Sequence, residues 1–374
     1  MMRRRGRWAW AALGGVATLV AGIACWFAVT GPDPWPARGS IPMDGSFLGF
    51  SADGRRAWTG YAAPMTEWDV ATGAEVRTLD GRPLRKRFPS ADGRRFVGWE
   101  GDYMTASSAV VVRDDATGAV ARRFPVPGQQ GFELAFRADD RQVEVALLVS
   151  LPAMAVVTWD LATGVESRRM VNGPGPGFSW PVAHAADGRT WAYLDFTRDA
   201  IQLWDAINDR PLGPALRTAT TRRDVMTRWV AAAFAPDGRT LVAAHGDGQA
   251  EVWDVATGRL IRLLPLHGGK VAVGRLLVAP DGRTLAATGS TPTPPSWAAT
   301  AWDRVYNHFT GRHPATPGLE AVAADLATGR VLARRRGCWA VALSPDGRTL
   351  VTQDHGGETY DFRPIPPVSP GEAP

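Results

Sequence analysis

The residues able to do chemistry in this 374-residue sequence are scattered and do not form a recognisable site. Six histidines (His184, His245, His267, His308, His313 and His355) show no metal-ligand spacing, and His308 and His313, four apart, have no cysteine beside them. Cys25 lies in an apolar run and Cys338 near the C-terminus, which suits neither a disulfide nor a zinc site. No G-x-S-x-G elbow, P-loop or G-x-G-x-x-G stands in a strand-to-helix context. The glycine-rich VNGPGPG at 171–177 contains prolines and leads into no helix, so it reads as a connecting loop. A calcium loop of the D-x-D-x-D-G type is absent. The sequence thus offers no catalytic, cofactor-binding or metal-binding residue, and it reads as a non-enzyme without a cofactor.

One stretch has a different chemistry. Residues 290–319, STPTPPSWAATAWDRVYNHFTGRHPATPGL, carry Trp297, Trp302, Tyr306, Phe309 and Arg312. Aromatic residues and arginine are enriched among the anchors of protein interfaces, which makes these five the candidate partner-binding residues. The competing expectation is that the rings pack back as local padding.

The rest of the chain is a repeat, seen most clearly in FAPDGRTLVAAHGDGQAEVWDVATGRLIRLL at 234–264. Short alternating or fully apolar runs stop at PDGR, GDG and ATGR, the pattern of antiparallel strands joined by hairpins. The aspartate of the first turn recurs at Asp53, Asp92, Asp139, Asp187, Asp237, Asp281 and Asp346. A second series, closing the third strand, recurs at Asp69, Asp114, Asp160, Asp205, Asp254, Asp325 and Asp361. Strict alternation of the two series marks seven units. Four short strands cannot bury both faces of their own sheet, so the units must stack into one closed ring. Trp68, Trp159, Trp204 and Trp253 precede four of these aspartates and read as core, with Asp69, Asp160, Asp205 and Asp254 as structural turn residues.

PDGRTL at 236–241, 280–285 and 345–350, with WDVATG or WDLATG at 68–73, 159–164 and 253–258, resembles the bacterial WD-repeat family of β-propellers. The resemblance implies an all-β, seven-bladed propeller of four-stranded antiparallel blades, with a ring closed by a strand borrowed from the N-terminal side, here about 38–43. Eukaryotic members open each repeat with a Gly-His pair that enters a hydrogen-bond network. That pair is missing here, LHGG at 266–269 being a loose echo. The propeller is expected over 45–363, followed by a proline-rich tail at 364–374 that cannot supply a strand. Two registers compete in blade six. If ADLATG closes its third strand, residues 290–319 sit between strands two and three; if Trp302-Asp303 does, the extra residues fall between strands three and four. The first is favoured, because ADLATGRVLARR matches the other hairpins.

Residues 1–30 open MMRRRGR and run uncharged from 8 to 29, long enough as a helix, about 33 Å, to span a bilayer. We expect one transmembrane helix acting as a signal anchor, with a cleaved signal peptide as the competing reading. Arg3, Arg4, Arg5 and Arg7 would keep the N-terminus cytoplasmic and the ring extracytoplasmic. Residues 31–44 then form a Pro/Gly-rich linker. Without those four arginines the 42 Lys and Arg nearly balance the 37 Asp and Glu, so the high pI argues for no nucleic-acid partner. The expected function is a membrane-tethered scaffold that binds another protein or peptide. A small-ligand or glycan-binding propeller is the alternative, and a channel-mouth hydrolase or lyase a more distant one.

Overall fold

The computed structural model describes residues 35–367 except 44, 61–63, 80–83, 91, 102–107, 127–130, 138–139, 151–152, 176–177, 196–199, 218–228, 268–271, 291–318 and 355–356. The chain divides into two units, Met1–Pro36 and Ala37–Pro374. Residues 8–29 lie outside the described residues. No helix among those described is long and apolar enough to cross a membrane.

The second unit is a ring of seven antiparallel sheets. Blade five shows the plan: Trp229–Phe234, Thr240–His245, Ala250–Asp254 and Arg259–Leu264 pair in sequence order. Its second and third strands are buried throughout or nearly so, while the fourth alternates and exposes Ile261 and Leu263 at the rim. Blades one, two and three repeat this order, at 46–79, 84–125 and 131–171. Blade four replaces the fourth strand with two short pieces, Arg210–Pro211 and Leu216–Arg217, that pair with opposite ends of Ala200–Asp205. In blade six the third strand is Leu319–Asp325, so the ADLATG register holds and the insertion separates strands two and three.

Blade seven takes only three strands from the C-terminal end: Cys338–Leu343, Thr349–Asp354 and Thr359–Pro364. Its fourth is Gly39–Pro42, with Gly39 opposite Phe362 and Pro42 opposite Thr359. This short strand is a poor β-former, and what holds it is tertiary. Ile41 is fully buried among Phe50, Trp68, Tyr360 and Phe362, and Ser40 Oγ donates to Asp361 Oδ1 at 2.6 Å.

Ladder registers define two repeating positions. Arg56, Arg95, Gln142, Thr190, Thr240 and Thr284 stand opposite the turn aspartates Asp69, Asp114, Asp160, Asp205, Asp254 and Asp325. In blade seven the matching residue, Thr349, faces Pro364, so Asp361 sits three residues inside the strand instead of closing it. One residue earlier is the tryptophan position. Trp68, Trp159, Trp204 and Trp253 are all buried there, and truncating a buried tryptophan to alanine costs about 3–5 kcal/mol. The same slot holds Arg113 in blade two, Ala324 in blade six and Arg363 in blade seven. Both arginines are buried with partners in reach: Glu100 Oε2 lies 3.6 Å from Arg113, and Arg363 donates to Thr352 Oγ1 and Asp361 Oδ2.

The turn aspartates work as local caps. Asp160 Oδ1 accepts from the backbone N–H groups of Ala162 and Thr163 and from Thr163 Oγ1, and Asp69 and Asp205 bind their own turns in the same way. Where glycine is absent from a repeat turn, an aspartate takes the left-handed conformation: Asp140 (φ 62°) in blade three and Asp209 (φ 48°) in blade four. Asp209 also accepts from Trp204 Nε1 and from Asn172, tying its turn to the loop before blade four.

Two experiments follow from these turns. Hydrogen bonds from Ser51, Thr72 and Ser90 lead the causes that hold Asp53, Asp69 and Asp92 below the ordinary carboxylate value. At Asp205 burial works the other way, and bonds from Asn208 and Arg189 outweigh it. Because these folded-state values are depressed, the stability they contribute is full above the unfolded aspartate value, about 3.9, and is lost as pH falls toward the folded values. Melting temperature is therefore expected to be flat above about pH 5 and to drop below pH 4, with a shallower drop in Asp69→Asn, as measured by circular dichroism.

The second experiment compares two glycines. Gly73 and Gly164 occupy the same turn with φ of 70° and 74°. A methyl at Gly164 meets nothing within 4 Å, whereas one at Gly73 would stand 2.6 Å from Ser40 O of the closing strand. Gly164→Ala should cost only the left-handed strain, about 1–2 kcal/mol, and Gly73→Ala about 1–3 kcal/mol more for displaced backbone. Chemical denaturation of the two variants measures the difference.

Candidate functional site

The insertion has a built root. Ser290, last residue of strand two in blade six, pairs with Leu319, first residue of strand three. Beside Leu319 stands Glu320, nearly buried, where three elements converge. His267 Nδ1 from the connection between blades five and six lies 2.9 Å from its Oε2, and Arg334 of strand four donates to the same oxygen at 2.8 Å. Arg334 also donates to Leu266 O at 2.9 Å, and the exposed Arg336 approaches Oε1 at 3.8 Å. Burial pushes the Glu320 carboxyl up, but the His267 bond and the Arg334 charge outweigh it, and the group sits below the usual glutamate value. Gly337 N–H closes the root by donating to Leu319 O at 2.7 Å.

A histidine beside a carboxylate is the pairing a general base requires, and here the pair is buried. His267 Nε2 is buried, without a hydrogen-bond partner among the described residues, and Arg334 already neutralises the glutamate. The cluster ties the start of strand three of blade six to strand four and to the connection that precedes the blade. Among the described residues no group of three or more His, Cys, Asp or Glu is arranged to hold a metal ion. The pair was hidden in the sequence because His267 and Glu320 are 53 residues apart and follow no repeat.

Trp297, Trp302, Tyr306, Phe309 and Arg312 lie outside the described residues, so the structure gives the ends of their segment only. Close to those ends is a large exposed aromatic residue, Trp339, 45% exposed on the first strand of blade seven and two positions after Gly337.

The two faces of the ring differ. One, the turn face, carries the turns between strands one and two and between strands three and four. The other, the insertion face, carries the connections between strands two and three and those between blades. On the turn face a groove of about 510 Å³ separates blades five and six, lined by Pro236, Asp237, Ile261, Arg262, Pro280 and Asp281 among others. Its volume is in the range of small-molecule sites, but its walls are repeat residues whose aspartates cap their own turns.

Comparison with curated proteins gave no match. The family model described as "WD domain, G-beta repeat" matches residues 225–254, which cover the first three strands of blade five. That match and the seven four-stranded blades together support a WD-repeat β-propeller.

Proposed function

We propose that this protein is a non-enzymatic interaction scaffold, tethered to a membrane through residues 8–29 with the ring extracytoplasmic, that captures another protein or peptide on its insertion face. Propellers of the WD-repeat kind generally bind other proteins. The observation that carries the reading here is the segment 291–318, placed between two strands that in blade five are joined by residues 246–249, the second of which starts at the cluster of Glu320, His267 and Arg334. A long connection on a rigid ring is where binding residues concentrate. Trp297, Trp302, Tyr306, Phe309 and Arg312 are the proposed anchors, and interface energy concentrates in a few such residues.

The test replaces 291–318 by a two-residue Asn-Gly turn, which fits because Ser290 and Leu319 are direct cross-strand partners. The ring is expected to keep its melting temperature within a few degrees, while crosslinking in native membranes loses a partner that the full chain captures. Unfolding of the shortened protein would show the segment to be structural. A small-ligand or glycan reading has the blade five–six groove in its favour, and it would gain if no insertion-dependent partner appeared.

A further inference from the structure

We infer that the groove between blades five and six is a second binding site, independent of the insertion. It takes the C-terminal end of a short apolar peptide, with the terminal carboxylate on Arg262 and a peptide N–H on Asp237.

Arg262 differs from its counterparts in other blades. One position on the fourth strand, opposite the residue that precedes the tryptophan slot, holds arginine in blades one, two and five: Arg77 opposite Glu67, Arg122 opposite Val112 and Arg262 opposite Val252. In blades one and two this arginine reaches the next blade and clasps two main-chain carbonyls in the turn between its strands three and four. Arg77 donates to Asp115 O at 2.7 Å and to Ala116 O, and Arg122 to Leu161 O at 3.0 Å and Ala162 O at 3.2 Å. The corresponding carbonyls of blade six belong to Leu326 and Ala327, which follow Asp325 as Asp115 and Ala116 follow Asp114. Both residues line the groove together with Arg262, yet Arg262 makes no hydrogen bond or ion pair among the described residues. The space of about 510 Å³ thus lies at a junction whose clasp is open.

A half-buried guanidinium without a counter-charge favours a ligand of opposite sign. A carboxylate suits it best, because two oxygens meet the fork of N–H donors with parallel bonds. At Asp237 the preference is the reverse. Its Oδ1 accepts from Arg239 N–H, and its Oδ2 accepts nothing among the described residues. Asp281, on the blade six side, has both oxygens engaged: Oδ1 by the backbone N–H groups of Arg283 and Thr284, and Oδ2 by Thr284 Oγ1. One carboxylate oxygen of the groove is therefore left for a donor. A fatty acid or other plain carboxylate has no donor to offer it, whereas a peptide brings N–H groups together with its terminal carboxylate. The remaining walls are largely apolar, with Pro236 and Ile261 from blade five and Pro280 and Leu326 from blade six. Ile261 is 49% exposed, a large apolar surface that a ligand side chain would remove from water. The volume is in the range that encloses most of a drug-sized molecule, which is the size of a di- or tripeptide.

Saturation-transfer NMR on the full chain tests the site. The probe is an equimolar pool of tripeptides with free termini whose last residue is leucine, isoleucine, valine or phenylalanine; a matched pool carries C-terminal amides. The carboxylate pool is expected to bind, and the amide pool about tenfold or more weakly, the effect of losing a hydrogen-bonded charge. Arg262→Gln should weaken the carboxylate pool by the same factor and leave the melting temperature within about 2 °C, because the side chain holds nothing in the ring. The protein shortened at 291–318 should bind as the full chain does. Equal binding of the two pools, or binding unchanged in Arg262→Gln, would overturn the carboxylate assignment. No binding of the carboxylate pool, or its loss on shortening 291–318, would overturn the site. The scaffold reading is decided separately, by the partner captured through the insertion.

Discussion

A ring that begins at Ser46 is expected to melt about 10 °C or more below one that begins at Pro36, or not to fold at all. The shorter chain loses Gly39–Pro42, which supplies the whole fourth strand of blade seven. Emptying the Ile41 site alone costs about 2–5 kcal/mol on the scale of buried aliphatic truncations. Loss of Ser40 removes a hydrogen bond to Asp361, a carboxylate that also meets Arg363 and Arg335. The strand's departure exposes the backbone edge of Thr359–Pro364, an unpaired template for aggregation. At about 2–4 °C per kcal/mol for a large domain, the sum comes to the stated shift. Differential scanning calorimetry of the two fragments decides it, and equal melting temperatures would mean that Gly39–Pro42 contributes nothing to closure. Ile41→Asp in the longer fragment should reproduce most of the loss.

The second large effect is expected at Arg87, on the first strand of blade two. Its guanidinium is buried against two neighbouring rings, 4.6 Å from the centre of Trp58 and 4.5 Å from that of Phe96, and is ion-paired with Asp115. Its Nη1 donates to Phe50 O of blade one at 3.2 Å. Burial pulls the group down to about 10, against the attraction of Asp115. The side chain thus joins blades one and two by packing as much as by charge. Arg87→Ala is expected to cost about 3–5 kcal/mol, since it opens a cavity and strips Asp115 of its partner. Arg87→Met, which keeps an apolar chain packed against both rings, should recover roughly half. If methionine recovered nothing, in urea titrations of the two variants, the charge and not the stacking would be the dominant contribution.

The sequence showed the ring because its turns have strict chemical requirements. An aspartate that caps its own backbone and a residue able to adopt positive φ must recur in every blade, and Asp69, Asp160 and Asp254 with Gly73, Gly164 and Gly258 mark them. The blade six register was legible for the same reason. Asp361 shows where that reasoning fails. TYDF looks like the end of a third strand, yet the ladder carries it three residues further and gives the turn position to Pro364. No local pattern encodes that register. Arg87, and the His267–Glu320–Arg334 root, were invisible because each joins elements far apart in sequence at positions the repeat leaves free. The candidate anchors were chosen by composition alone, and composition reports residue types without their placement.

Closure by the N-terminal strand also sets an order of events during synthesis. Ser40 is among the earliest residues of the ring to be made, and Asp361, its partner, lies 321 positions later. At about 5–20 residues per second, the strand waits roughly 15 to 60 s for the edge it must pair with. Six blades can fold as they are made, each from its own consecutive strands, but the seventh is assembled from both ends of the ring and only after the last strand is complete. Until then the early strand and the growing arc of blades both present open edges. A chain stalled before Thr359 is therefore an open arc of sheets, and its last missing contacts are those made by its first residues.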